Sequence, residues 1–191
     1  MKRDRRDFLR TITSSALTAS FLPMYMACGE KKPKPEAEGV SQKDKAEEAF
    51  SLMREYGSCC TGVLAAYAPE FGMEKDLTAG LGRGMAGGIG GLGNVCGAVS
   101  GAVLVIGLKT TNEDNIHDME AVYKSMETVR EFVARFEESH SSINCRELIG
   151  HDISTQEKSE AAMKDNAFVN CPRFVVSAVT ILDDMCSSEK S

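Results

Sequence analysis

The chain has 191 residues, seven cysteines and a formal net charge of -6 at pH 7. A chain of this length can bury a core of ordinary size within one domain, without relying on disulfides. Its acidic balance argues against nucleic acid as a partner, because the phosphates would be repelled. We therefore expect one domain that binds no nucleic acid.

The first 27 residues predict a twin-arginine export signal. Arg5 and Arg6 stand just before Phe8, and a mostly uncharged stretch follows over residues 11–27. This stretch contains Ser, Thr and Pro and falls short of about 20 strongly apolar residues, so a membrane-spanning anchor is less well supported. The leader contains five Lys or Arg and two Asp or Glu, so its removal changes the net charge from -6 to -9.

Residues 28–40 predict a polar linker that begins with a candidate lipidation site. Cys28 follows the small residue Ala27, as the modified cysteine of a lipoprotein does, and two prolines interrupt the segment. Tyr25 stands where leucine is usual in such sites, so a free Cys28 stays an alternative. We therefore expect an exported protein, either periplasmic or attached to a membrane through a lipidated Cys28.

Residues 41–191 predict a compact all-α bundle, because apolar residues repeat at three and four positions rather than alternately. The clearest helix spans about 116–138, with one apolar stripe formed by Met119, Val122, Tyr123, Met126, Val129, Val133 and Phe136. Other helices are expected over 46–56, 59–68, 145–149, 156–164 and 172–185. No pair of strands is expected between them, which leaves helix-on-helix packing as the fold class.

Glycines are concentrated between residues 80 and 107, which hold eleven of the 17 in the chain. The segment ends in the apolar run Val95–Leu108, which predicts a glycine-rich loop leading into a buried central helix. Gly97 and Gly101 on that helix would let a neighbouring helix pack closely against it. The segment spells G-x-G-x-x-G twice, but no buried strand precedes it, so we do not expect a nucleotide cofactor.

Four cysteines share a local setting that predicts one common site: Cys59, Cys96, Cys145 and Cys171. Each follows, by one or two positions, a residue type that often caps a helix N-terminus: Ser58, Asn94, Asn144 and Asn170. Cysteines in the first turns of four helices would lie near free N-H groups and the positive ends of helix dipoles. That setting lowers a thiol pKa and favours an anionic cluster, so these four are the candidate cofactor and metal ligands.

We expect the other cysteines and the histidines to contribute less to the site than these four cysteines. Cys60 adjoins Cys59 and could assist or replace it, whereas Cys186, near the C-terminus, is expected to lie apart. Surface positions are expected for the three histidines, His117, His140 and His151, although the last two could approach Cys145. The chain contains no C-x-x-C-H motif, so covalent haem is not expected.

With these residues in view, the chain resembles the redox-active family named for its C-GCAxxG-C-C cysteine pattern. The matching segments are residues 58–64, 87–103, 144–150 and Cys171. The resemblance implies that Cys59, rather than Cys60, is the first cysteine of the pattern, because Val63 and Leu64 follow it at the family's distance. The family is also similar to the non-haem part of split-Soret cytochromes. This similarity implies that an iron-sulfur cluster is one cofactor that the site could bind.

Three functions stay open for the four-cysteine site. The first is an iron-sulfur cluster that transfers electrons, for which four thiolates are the usual ligand number. The second is thiol/disulfide exchange by a pair such as Cys59 with Cys96. The third is a structural zinc site or a set of disulfides that stabilises a binding module. The redox partner is unidentified, and a homodimer stays open.

Overall fold

The computed structural model describes residues 42–188, with side chains from 44 to 187, and this part contains no β-strand. The predicted all-α fold is confirmed. The predicted leader, Cys28 and the linker lie outside the described residues. The α-helices are α1 (Gln42–Tyr56), α2 (Cys59–Tyr67), α3 (Lys75–Arg83), α4 (Gly97–Thr110), α5 (Met119–His140), α6 (Cys145–Ile149), α7 (Gln156–Lys164) and α8 (Cys171–Ser188).

Helices α2 and α4 form the centre of the bundle. Every residue of α2 from Cys60 to Tyr67 is buried, and α4 buries one face that includes Val99 and Val105. Helices α1, α3 and α8 pack around α2, while α5 covers α4 and α8. Burial of side chains of this size from all sides supplies most of the stability of such a bundle. None of the described helices is long and apolar enough to span a membrane.

Glycines allow α1, α2 and α4 to touch through their backbones. A Cβ atom added to Gly62 of α2 would lie 2.7 Å from the carbonyl oxygen of Ala49 in α1. A Cβ atom added to Gly101 of α4 would lie 2.8 Å from the carbonyl oxygen of Cys60. No side chain fits at either separation, so these two glycines fix the spacing of the three helices.

The first half of α5 differs from the prediction. Its apolar residues Met119, Val122, Tyr123 and Met126 were expected in the core, but each is between 42% and 63% exposed. Thr110, the last residue of α4, contacts Ser125 through their hydroxyl groups at 2.5 Å. The first turns of α5 therefore extend beyond the end of α4.

Gly101 and Gly107 give a matched pair of substitutions on one helix. We expect Gly101→Ala to lower the free energy of unfolding by about 1 to 3 kcal/mol, because the added carbon clashes with the α2 backbone. Nothing lies within 4 Å of a Cβ atom at Gly107, so Gly107→Ala should raise it by up to about 1 kcal/mol. Urea unfolding of both variants measures the difference, and equal effects would contradict the close crossing of α2 and α4.

Candidate functional site

The four predicted cysteines line one cavity of about 340 Å³. Cys96 and Cys145 are buried, while Cys59 and Cys171 are half-buried. Most of the remaining wall is apolar, with contributions from Met53, Ala86, Leu148, Ile149, Phe168 and Phe174. Arg54 is the one charged side chain among the described residues that line the cavity. The site is therefore a largely apolar cavity with four cysteines in its wall.

All four cysteines lie at helix starts, but only one is capped as the sequence suggested. Ser58 precedes α2, and its hydroxyl accepts a hydrogen bond from the Thr61 N-H at 3.3 Å. Cys96 itself, rather than Asn94, is the N-cap residue of α4. Asn144 precedes α6 without a side-chain bond to the helix, and Asn170 ends a short 3-10 helix before α8. The side-chain capping expected of the three asparagines is therefore wrong, although Asn144 does occupy the N-cap position of α6.

An isolated antiparallel bridge between Val95 and Asn144 joins two of these cysteines. The Cys96 N-H donates to the Ile143 carbonyl at 2.7 Å, and the Cys145 N-H donates to the Asn94 carbonyl at 2.6 Å. These two backbone bonds hold the start of α4 beside the start of α6, which places Cys96 and Cys145 in the same wall of the cavity.

The glycine-rich loop before α4 folds over Cys145. Five of its glycines have φ between 62° and 78°, the left-handed region that favours glycine: Gly87, Gly88, Gly90, Gly91 and Gly93. A Cβ atom added to Gly88 would lie 2.6 Å from the Asn94 backbone and 2.8 Å from the Cys145 Cβ atom. The loop therefore packs so closely against Asn94 and Cys145 that no side chain fits at position 88.

Gly97 brings a second pair of cysteines, Cys59 and Cys96, together. A Cβ atom at this position would lie 3.0 Å from the Cys60 backbone nitrogen and 3.2 Å from the Cys59 Cβ atom. The predicted close approach at Gly97 is therefore present. It sets the first turn of α4 against the first turn of α2, so that Cys96 faces the same cavity as Cys59.

Cys59 and Cys171 form a hydrogen-bonded thiol pair. The bond from the Cys59 thiol lowers the pKa of Cys171, although burial opposes this shift. The same bond, followed by burial and by the other three sulfur atoms of the site, raises the pKa of Cys59 well above its usual value. Cys171 is therefore the thiol that ionises first, with Cys59 as the donor that stabilises its thiolate.

Burial is the largest influence on the pKa of the other two thiols. It raises the pKa of Cys145 to about 12 and that of Cys96 to about 11, even though Cys96 accepts backbone bonds from Ala98 and Val99. The Arg146 N-H in the first turn of α6 is already bonded to the Gly93 carbonyl, as the Cys145 N-H is to Asn94. The predicted lowering of pKa at helix starts is thus wrong for Cys59, because of its hydrogen bond to Cys171 and its burial, and for Cys96 and Cys145, because burial outweighs the helix dipole.

Cys60 and Cys186 lie away from the cavity. Cys60 is completely buried in the core and does not line the cavity, and burial raises its pKa to about 12. Cys186 follows Cys171 by 15 residues on α8, which corresponds to about 22 Å along the helix axis. The alternative in which Cys60 replaces Cys59 therefore lacks structural support.

The histidines do not reach the four cysteines. His117 is exposed, and His151 contacts the Ile149 carbonyl and the Asp165 carboxylate. The expected surface position is wrong for His140, whose ring packs edge-on against Phe174 with centroids 5.1 Å apart. Its Nε2 atom is buried without a hydrogen-bond partner in the described part, and burial lowers its pKa. His140 therefore supports the wall behind Phe174 and lies outside the sulfur site.

Between residues 44 and 187, no three His, Cys, Asp or Glu side chains are grouped closely enough to hold one metal ion. The four cysteines line one cavity without forming such a group.

Comparison with known proteins identifies the family. Residues 57–185 match the family described as "Putative redox-active protein (C_GCAxxG_C_C)". The chain belongs to this family. The match spans all four cysteines of the cavity and the glycine-rich loop, and the family description gives a redox-active protein as the coarse function. No curated protein and no solved structure matches the chain.

The hydrogen bond between the two half-buried thiols predicts an order of reactivity. In the reduced, metal-free protein, we expect iodoacetamide to modify Cys171 first and at lower pH than Cys96 or Cys145, because alkylation requires the thiolate. Cys59→Ala should raise the pKa of Cys171 and slow its alkylation, whereas Cys59→Ser keeps a donor and should slow it less. Mass spectrometry of the peptides measures each site.

Cys186→Ala is the control for this series, since Cys186 does not line the cavity. If Cys171 reacts no faster than Cys145 in the wild-type protein, or if Cys59→Ala leaves the Cys171 rate unchanged, the thiol pair does not act as described.

Proposed function

We propose that this chain is an electron-transfer protein whose Cys59, Cys96, Cys145 and Cys171 ligate an iron-sulfur cluster. The observation that carries the proposal is the convergence of four thiols, from four separate helix starts, on one largely apolar cavity. Four cysteine thiolates are the usual ligand set of such clusters. When bound, the cluster would accept and release single electrons.

The cavity has room for a cluster as well as for a single ion. The ligands of a cluster bind different iron atoms around a core that itself occupies space, and a cavity of about 340 Å³ supplies room of that kind.

The side chains of the wall would contribute mainly by excluding water. Apolar contacts around a cluster limit solvent access and thereby set its reduction potential. Three of the four thiols have raised pKa values in the metal-free protein, so cluster binding must displace their protons. The pH dependence of loading should therefore extend to higher pH than it would for exposed cysteines.

A second function is favoured by the hydrogen bond between Cys59 and Cys171. A thiolate held at lowered pKa beside a second thiol is the arrangement that thiol/disulfide exchange requires. In that case the pair would lose two electrons and two protons to an external disulfide, forming one bond between the two sulfur atoms while the acceptor is reduced to two thiols. This pairing differs from the Cys59 and Cys96 pair that the sequence suggested.

One experiment separates the candidates. The exported form is purified anaerobically, and its visible spectrum, iron, acid-labile sulfide, zinc and free thiols are measured. We expect colour with iron and sulfide, lost in Cys59→Ala, Cys96→Ala, Cys145→Ala and Cys171→Ala but retained in Cys186→Ala. A colourless protein that forms a reversible Cys59–Cys171 disulfide would instead establish the exchange function, and one zinc ion per chain would establish a structural site.

We also propose export by the twin-arginine route, which is compatible with a cluster because that route moves folded proteins, so a cofactor can be inserted before export. Arg5→Lys combined with Arg6→Lys should leave the precursor in the cytoplasm, since the paired guanidinium groups are the recognised feature. Cell fractionation measures the location, and unchanged export of the double variant would contradict the route.

Membrane attachment through Cys28 needs a separate measurement. Labelling with a radioactive fatty acid should mark the wild-type chain and leave Cys28→Ser unlabelled. Absence of label in both would leave a periplasmic form without a lipid anchor.

A further inference from the structure

Arg146, in the first turn of α6, holds two consecutive carbonyl groups of the glycine-rich loop. Its backbone N-H donates to the Gly93 carbonyl at 3.0 Å, and its guanidinium group donates to the Leu92 carbonyl at 2.9 Å. The residue that directly follows Cys145 in the sequence therefore attaches the loop to α6 with its side chain as well as with its backbone.

Gly93 lets the side chain of Arg146 lie directly on the loop backbone. Its φ of 73° falls in the left-handed region that favours glycine. A Cβ atom added at this position would lie 3.0 Å from the Arg146 Cβ atom and 3.1 Å from its Nε atom. A side chain at residue 93 would therefore displace the arginine as well as strain the loop.

A carboxylate on the far side of the guanidinium group gives it a second contact. Asp152 lies 3.8 Å from Arg146, and it accepts hydrogen bonds from the Lys158 ammonium group at 2.7 Å and from the Ser154 N-H at 2.9 Å. These two bonds lower the pKa of Asp152, so it is an anion at neutral pH. Because exposed ion pairs are weak, the bond to the Leu92 carbonyl and the packing on Gly93 supply most of the restraint.

The restraint extends from this end of the loop to the part that covers Cys145. The Gly93 N-H donates to the Gly87 carbonyl at 3.0 Å, and the Asn94 N-H donates to the Gly88 carbonyl at 3.0 Å. The backbone at Gly88 in turn lies against the Cβ atom of Cys145, which is only 7% exposed. Residues that hold the loop at Gly93 therefore also hold the segment that packs on Cys145.

From these contacts we infer that Arg146 is a positioning residue of the sulfur site. Its side chain keeps the glycine-rich loop against α6 and thereby limits the access of solutes to Cys145. The inference rests on the proposed function in one respect, because Cys145 is one of the four proposed cluster ligands. The restraint itself belongs to the protein without a cofactor, so it can be tested there.

The test measures alkylation of the reduced, metal-free full chain by iodoacetamide, with mass spectrometry of the peptides. Cys60 is the internal reference for Cys145. Burial raises the pKa of both thiols to about 12, so the fraction of thiolate limits their reaction to a similar extent. Cys60 lies in the core and reacts only when the bundle opens, whereas displacement of the loop exposes Cys145 alone.

Three variants locate the effect. Arg146→Met keeps an apolar stem on Gly93 but has no donor for the Leu92 carbonyl, and it should speed the alkylation of Cys145 about three- to tenfold. Arg146→Lys restores a donor and should bring the rate back toward that of the wild-type chain. Lys158→Met removes the same charge from a side chain that is equally exposed, at 51%, and should change the rate by less than about twofold.

The charge change by itself cannot produce the expected result. Loss of a neighbouring positive charge disfavours the thiolate and slows alkylation, which is opposite to the predicted direction. An unchanged Cys145 rate in Arg146→Met would overturn the inference. Equal increases at Cys60 and Cys145 would also overturn it, because they would show general destabilisation, and so would an equal effect of Lys158→Met.

Iron and sulfide content keeps this failure distinct from failure of the proposed function. A chain that binds a cluster, but whose Cys145 reacts at the same rate in Arg146→Met, would refute the role of Arg146 alone. A chain without a cluster in which Arg146→Met selectively speeds the reaction of Cys145 would refute the electron-transfer function and leave the positioning role established.

Discussion

The close contact of α4 with α2 at Gly97 and Gly101 is the constraint on which the site depends. Because a Cβ atom at either position would lie within about 3.0 Å of the α2 backbone, the two helices can approach this closely only where glycine is present. Cys59 at the start of α2 and Cys96 at the start of α4 are therefore positioned by the core itself. The remaining cysteines join this pair through the bridge between Val95 and Asn144 and through α8, which packs on both central helices.

Much of the fold was predictable because its signals are local. The helical periodicity, the glycine-rich segment before α4 and the start of α2 at Ser58 and Cys59 all follow from neighbouring residues. The convergence of four cysteines was predictable only because they shared a position at helix starts, together with the family resemblance. Nothing in the sequence showed that the asparagines before Cys96, Cys145 and Cys171 would leave the capping to other groups.

The properties that the sequence did not predict are those that depend on distant neighbours. A thiol pKa is set by burial and by contacts across the cavity, so the hydrogen bond between Cys59 and Cys171 has no local signature. The apolar stripe of α5 predicted the helix correctly but did not show that its first turns are exposed. Periodicity cannot reveal where the neighbouring helix α4 ends. His140 likewise appeared polar in its sequence context but packs between aromatic rings.

The bridge between the glycine-rich loop and α6 also links access to the site with amide hydrogen exchange. First-turn amides of a helix usually exchange freely with solvent, because they have no partner within the helix. Here the Cys145 and Arg146 amides are protected by the carbonyls of Asn94 and Gly93. Movement of the loop away from α6 would break both bonds together. Hydrogen exchange at these two amides therefore measures how often the glycine-rich loop moves away from α6.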